Sequence, residues 1–171
     1  MVNLNIERIN ANSPYNVCYG ADVDAVKFTT DFGVDYNVSF LKDDFLQTTD
    51  SYQLIITNVN NKKSPRDAKL RQTILAIIYE FFESLTPALF YFCDTFDDKQ
   101  SQRNRLFAYW FNSSPRIKDY ISMRATIPEE DGVMNFTAII VRIDNPRLGS
   151  ILAEYTETIK LLSQKPCCMA D

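Results

Sequence analysis

Polar and apolar residues alternate most cleanly at Val34, Tyr36, Val38 and Phe40, which are interleaved with Asp35, Asn37 and Ser39. That is the period of a strand with one dry face and one wet face. Further strands are predicted over Tyr15 to Tyr19, Ala25 to Thr30 and Tyr52 to Val59, with Asp31, Phe32 and Gly33 as the turn between the second and third. Upstream, Val2, Leu4 and Ile6 alternate with Asn3 and Asn5, so residues 1–13 read as a poorly defined segment or a short edge strand.

The period then lengthens. Leu70, Ile74, Ile77, Ile78, Phe81 and Leu85 recur at helical spacing. Ser64, Pro65 and Asp67 predict the start of that helix: a hydroxyl cap, a first-turn proline and an acid in the manner of a capping box. Pro87 to Cys93 reads as a buried strand, and Asp97 followed by Gln100 as the cap of a second helix that Ser113, Ser114 and Pro115 stop. Tyr120 to Ile127 and Met134 to Ile143 form a predicted antiparallel hairpin around Glu129 to Gly132. The second of these strands is apolar on both faces and belongs in the interior of the sheet. Asn145 and Pro146 open a last helix carrying Leu148, Ile151, Leu152, Tyr155, Ile159 and Leu162 on one side.

The order ββββαβαββα predicts an α+β fold: a mostly antiparallel sheet of about seven strands with three helices packed mainly on one face. Residues 14–163 form the single expected domain and residues 164–171 a flexible tail. A chain of 171 residues, 46% of them hydrophobic, has enough apolar side chain for one real core.

Composition removes many chemistries. There is no histidine, so no site within one chain can use imidazole as base, acid or metal ligand. The four glycines, at 20, 33, 132 and 149, fit no phosphate-cradling loop. Cys18, Cys93, Cys167 and Cys168 lack metal-ligand spacing and read as reduced thiols. No cofactor and no metal are implied. With no leader-like start and no long apolar run, the expectation is a soluble, cytoplasmic protein that does not enter membranes.

Net charge is −4, which argues against general affinity for nucleic acid, but the charge is unevenly placed. Lys62, Lys63, Arg66, Lys69 and Arg71 are opposed within their own stretch only by Asp67. If these cations lie across a helix start they oppose its dipole, a small cost that suggests an anionic partner. A solvated loop is the plain alternative. Arg105 and Tyr109 share the wetter face of the second long helix and are further candidates for binding, whereas Trp110 and Phe111 are spaced with Leu106 and Phe107 as a core stripe.

Arg103 falls on that same apolar stripe and needs a partner, and Asp94, at the end of the preceding strand, is the natural one. The pair reads as structural. Asp94, Asp97 and Asp98 also form the acidic set that a metal-dependent phosphoester hydrolase would use.

Three stretches together carry a resemblance: the aromatic strand ending Cys93-Asp94, the run Arg103-Asn104-Arg105-Leu106-Phe107 leading to Trp110-Phe111, and Asp144-Asn145-Pro146 opening the last helix. The chain is similar, from Tyr15 to Leu162, to a family of small bacterial proteins of unknown function. The resemblance implies a bacterial, cytoplasmic, single-domain protein and supplies no catalytic residue. The expected role is a non-enzymatic binding or regulatory module that engages a protein partner. A metal-dependent hydrolase using Asp94 and Asp97 and a weak nucleic-acid binder through Lys62 to Arg71 are the alternatives.

Overall fold

The structure, a computed structural model, describes residues 2–22, 24–84, 86–93, 100–129 and 132–164. It is an α+β fold whose elements are α1 (Ile6–Asn12), β1 (Cys18–Tyr19), β2 (Ala25–Thr29), β3 (Asp35–Asp43), β4 (Ser51–Asn58), α2 (Ala68–Ser84), β5 (Ala88–Cys93), α3 (Gln100–Asn112), β6 (Tyr120–Pro128), β7 (Met134–Arg142) and α4 (Leu148–Ser163). The strands form one sheet in the order β1-β2-β3-β4-β5-β7-β6. Neighbours are antiparallel except β4 and β5, which run parallel and are joined by α2, as a parallel connection requires.

The two apolar faces of the sheet are covered unequally. On one, Ile9 of α1, the Ile74–Ile78 stretch of α2 and Phe107 and Phe111 of α3 join Phe28, Val38, Phe40, Leu54, Leu89 and Ile140 in a large core. On the other, Ile151 and Tyr155 of α4 cover Phe90, Ile139 and Val141. Residues 89–90 and 139–140 therefore alternate between two cores, which explains why those strands read as apolar on both faces. Ile139 and Ile140 are fully buried, and β7 lies inside the sheet between β5 and β6. Among the described residues no helix lies over the second face of β2 to β4, and Lys27, Thr29 and Thr57 meet solvent there.

Three local expectations are corrected. Residues 1–13 hold a helix where a poorly defined segment or a short edge strand is expected: Asn5 Oδ1 accepts from Arg8 N at 3.0 Å and so caps α1, while Val2 and Leu4 keep the buried alternation. The strand at Tyr15 to Tyr19 shrinks to two residues because the Val17 backbone is taken by a side chain. Asn10 Oδ1 accepts from Val17 N at 2.7 Å and Asn10 Nδ2 donates to Val17 O at 2.9 Å. Leu106 is 48% exposed, not core. The seam of α3 runs through Phe107 and Phe111, and Leu106, about 100° round from Phe107, falls off its side.

Candidate interaction surface

The cationic segment departs most from its sequence reading. The expected start of α2 at Ser64 and Pro65 is displaced to Ala68, and Asp67 is the cap: its Oδ1 accepts from Lys69 N at 2.9 Å. Ser64 is occupied elsewhere, since its Oγ accepts from the Tyr36 hydroxyl at 2.8 Å. Lys62, Lys63 and Arg66 thus precede the helix in a stretch without regular structure, and only Lys69 and Arg71 stand in its first turn. The capping role of Asp67 also means that a carboxylate of the chain itself already sits at the positive end of α2.

What holds this stretch is a set of uncharged and acidic side chains. The β3–β4 pairing ends at Tyr36 opposite Asn58, and the contact continues through one more backbone bond and then side chains. Val59 N donates to Asp35 O at 2.8 Å, Asn60 Nδ2 to Gly33 O at 2.9 Å, and Asn58 Nδ2 to Lys62 O at 2.8 Å. Asn61, at φ 54°, makes the left-handed bend that asparagine tolerates better than most side chains. Farther on, the Tyr15 hydroxyl donates to Asp67 Oδ2 at 2.6 Å. Burial and that carboxylate both push the Tyr15 phenol up, so it stays a donor. Lys69 Nζ pairs with Asp31 Oδ2 at 2.6 Å and lies 5.7 Å from the centre of the Tyr15 ring.

Lys62, Lys63 and Arg66 are exposed, and among the described residues none of the three is paired with a carboxylate. Arg71, half-buried, points toward the far end of α3: its Nη1 donates to Ser113 Oγ at 3.3 Å, and that hydroxyl donates to Tyr109 O at 2.7 Å. Tyr109 is 63% exposed, and Arg105, one turn earlier, is exposed as well. Lys62 beside Gly33, Lys69 on Asp31 and Arg71 on Ser113 thus link the β2–β3 turn to the C-terminal end of α3, whereas among the described residues no contact places Lys63, Arg66 or Arg105 against them. Lys69, paired with Asp31, and Arg71, bonded to Ser113, are already engaged within the chain.

Arg103 is half-buried on α3, facing the end of β5. Burial drives the Tyr91 phenol far up, Cys93 adds to that rise and the Arg103 charge opposes it. Burial likewise raises the Cys93 thiol, against the Tyr91 hydrogen bond and Arg103. The Tyr91 ring stacks on Phe107 at 4.1 Å. Asp94, Asp97 and Asp98 lie outside the described residues, so both the proposed Asp94 partnership and the acidic set fall there. Among the described residues no group of three or more Asp, Glu or Cys side chains is arranged to hold a metal ion.

A second feature was not foreseen. An open recess of about 800 Å³ is lined by Asp43, Asp44, Thr48, Asp50, Tyr52 and Arg147. Glu154 of α4 fixes its rim, accepting from Gln47 N at 2.6 Å and Thr48 N at 2.9 Å, while Arg147 Nη1 donates to Thr48 O at 2.7 Å. Asp50 is neutralised by Lys42 at 2.9 Å. These contacts tie the loop to α4 and leave the lining mostly spoken for.

No helix among the described residues is long and apolar enough to cross a membrane. Residues 66–157 match a family of unknown function, DUF6169, over just over half of the chain, and the chain belongs to that family. No curated protein and no solved structure matches. The matched segment is narrower than the Tyr15 to Leu162 expected from the resemblance. It begins inside the cationic stretch, at Arg66, and runs into α4, leaving β1 to β4 before it.

Proposed function

We propose that this member of the DUF6169 family is a non-enzymatic binding module that engages an acidic protein partner through Lys62, Lys63, Arg66, Arg71, Arg105 and Tyr109. One observation carries the reading: a division of labour along residues 58–69. Asn58, Asn60, Ser64 and Asp67 tie the backbone down, while Lys62, Lys63 and Arg66 are left exposed and unpaired among the described residues. A plain solvated loop has no need of so many ties. A fixed backbone spares a partner much of the ordering cost of binding, leaving only the lysine and arginine side chains to be immobilised.

A protein partner suits the surface better than a nucleic acid. Asp31, Asp35 and Asp67 stand among the cations, and the chain is acidic as a whole, so a continuous phosphate backbone meets repulsion that discrete carboxylates can avoid. A bacterial, cytoplasmic setting is part of the proposal and rests on the family resemblance.

The test is a titration of a labelled Glu-rich peptide, followed by fluorescence polarisation at low salt. The parent protein should bind it, and binding should weaken as salt rises. Lys62→Glu with Lys63→Glu should abolish binding while leaving the circular dichroism spectrum intact. Absence of saturable binding, or binding indifferent to the charge reversal, contradicts the proposal. A rise in thermal midpoint on adding magnesium or manganese would favour the hydrolase instead.

A further inference from the structure

Phe32 is the least expected side chain near the cationic segment. The turn that carries it is closed by Gly33 N donating to Thr30 O and Thr30 N to Val34 O, both at 2.9 Å, and Gly33 takes the positive φ of 70° that the turn needs. Turn positions of this kind usually hold polar residues. Here a phenyl ring stands 56% exposed at the tip. One exposed apolar side chain is ordinary in any protein. What sets Phe32 apart is its flanks. The residue before it, Asp31, holds the Lys69 ammonium at 2.6 Å. Beside the residue after it, Gly33, lies the Lys62 ammonium, 3.2 Å from where a Cβ would stand. The ring thus stands on a turn whose two neighbouring positions each have a lysine head group beside them, and which a hydrogen bond fastens to Asn60.

We infer that Phe32 is the apolar anchor of this surface, and that its partner is an acidic peptide segment in which a large apolar side chain lies between carboxylates. The inference rests on the binding function proposed above and specifies its ligand. An acidic segment alone would be held by solvent-exposed ion pairs, each worth little. An apolar side chain laid on the Phe32 ring adds buried area that salt does not screen. Carboxylates on either side of it meet Lys62 and, in exchange with Asp31, Lys69. A base stacked on the ring with phosphates on the lysines is the competing arrangement. It is disfavoured because stacking sites for single strands use successive aromatic platforms, and Asp31 and Asp35 add negative charge around the turn. Phe32 and Lys62 precede the segment matched to the family, whereas Lys69 lies inside it, so the apolar anchor belongs to the part of the chain outside the match.

The experiment compares two Glu-rich peptides that differ only in one central residue, leucine or serine, against the parent protein, Phe32→Ser and the Lys62→Glu/Lys63→Glu double variant. The leucine peptide should bind the parent about tenfold more tightly, the equivalent of one anchoring side chain. Phe32→Ser should erase that preference while retaining the weaker binding of the serine peptide, and its thermal midpoint should be unchanged. The charge reversal should weaken both peptides. Equal affinity for the two peptides overturns the anchor and leaves the acidic-partner reading standing. Binding of neither peptide overturns both. Tighter binding of single-stranded DNA than of the leucine peptide, lost in Phe32→Ser, assigns the ring to base stacking and overturns the inference.

Discussion

Arg8 holds Glu80 through two hydrogen bonds, from Nη2 to Oε1 at 2.6 Å and from Nε to Oε2 at 3.0 Å, although the Arg8 side chain is 58% exposed and that of Glu80 only 4%. Asn5 N also donates to Glu80 Oε1, at 3.1 Å. A carboxylate toward the C-terminal end of α2 is therefore covered by α1 and its capping residue, and the N-terminal segment is bolted to the core helix at a polar point inside an apolar contact.

The asymmetry of exposure predicts an asymmetry of damage. Arg8→Ala takes a bidentate cationic partner from a desolvated carboxylate, whereas Glu80→Gln leaves a guanidinium that can turn to water. Arg8→Ala should lower the thermal midpoint by several degrees and by more than Glu80→Gln. The double variant should cost less than the sum of the two. Equal and additive losses would show that the contact is not one unit.

The ties along residues 58–69 predict resistance to trypsin at Lys62, Lys63 and Arg66 despite their exposure. Asp67→Ala removes a helix cap, worth about 1 kcal/mol, and takes the acceptor from Tyr15. Cleavage after Lys63 should then accelerate well beyond what the lost stability explains, while Asp67→Asn, which keeps an oxygen in place, should restore most of the protection. Rapid cleavage of the parent protein at Lys63 would show that the stretch is not fastened.

Acid should loosen the recess loop. Burial pushes the Glu154 carboxyl up, but hydrogen bonds from Thr48 and Gln47 outweigh it and hold the group below its ordinary value. A carboxylate lowered on folding adds stability that is present above its unfolded pKa, about 4.3, and is lost as pH falls through the folded value. Amide exchange at Gln47 and Thr48 should therefore rise as pH drops below about 4, beyond the intrinsic trend. Glu154→Gln should show fast exchange at neutral pH with no such transition. Unchanged protection in that variant would mean the loop is held by Arg147 alone.

Strand and helix periods were legible because they follow from which side chains the core takes: Val38 and Phe40 on one strand, Ile74 and Ile77 on one helix, with turns where Gly33 and Pro115 stand. Side chains that substitute for backbone partners were not legible. Asn10 takes the place of a strand neighbour for Val17, and Tyr36 diverts Ser64 from capping α2, and neither contact has a local signature because its two ends are joined only by folding. The cationic segment was visible as composition, but its fastening was not. The asparagines at 58, 60 and 61 were the available signal, since short amides bond to nearby backbone in turns. Phe32 was readable as an oddity, a large apolar residue in an otherwise polar turn. The lysines around it come from positions 62 and 69, which only the sheet register brings alongside.

The most direct test of the binding surface is backbone amide NMR of the parent protein titrated with the Glu-rich peptide carrying a central leucine. The shifted resonances should cluster at Phe32 and Gly33, along residues 58–71 and at Arg105 and Tyr109. Shifts confined to the recess around Asp50 and Arg147, or to the β6 edge at Ser122 to Thr126, would place any binding elsewhere and contradict the account.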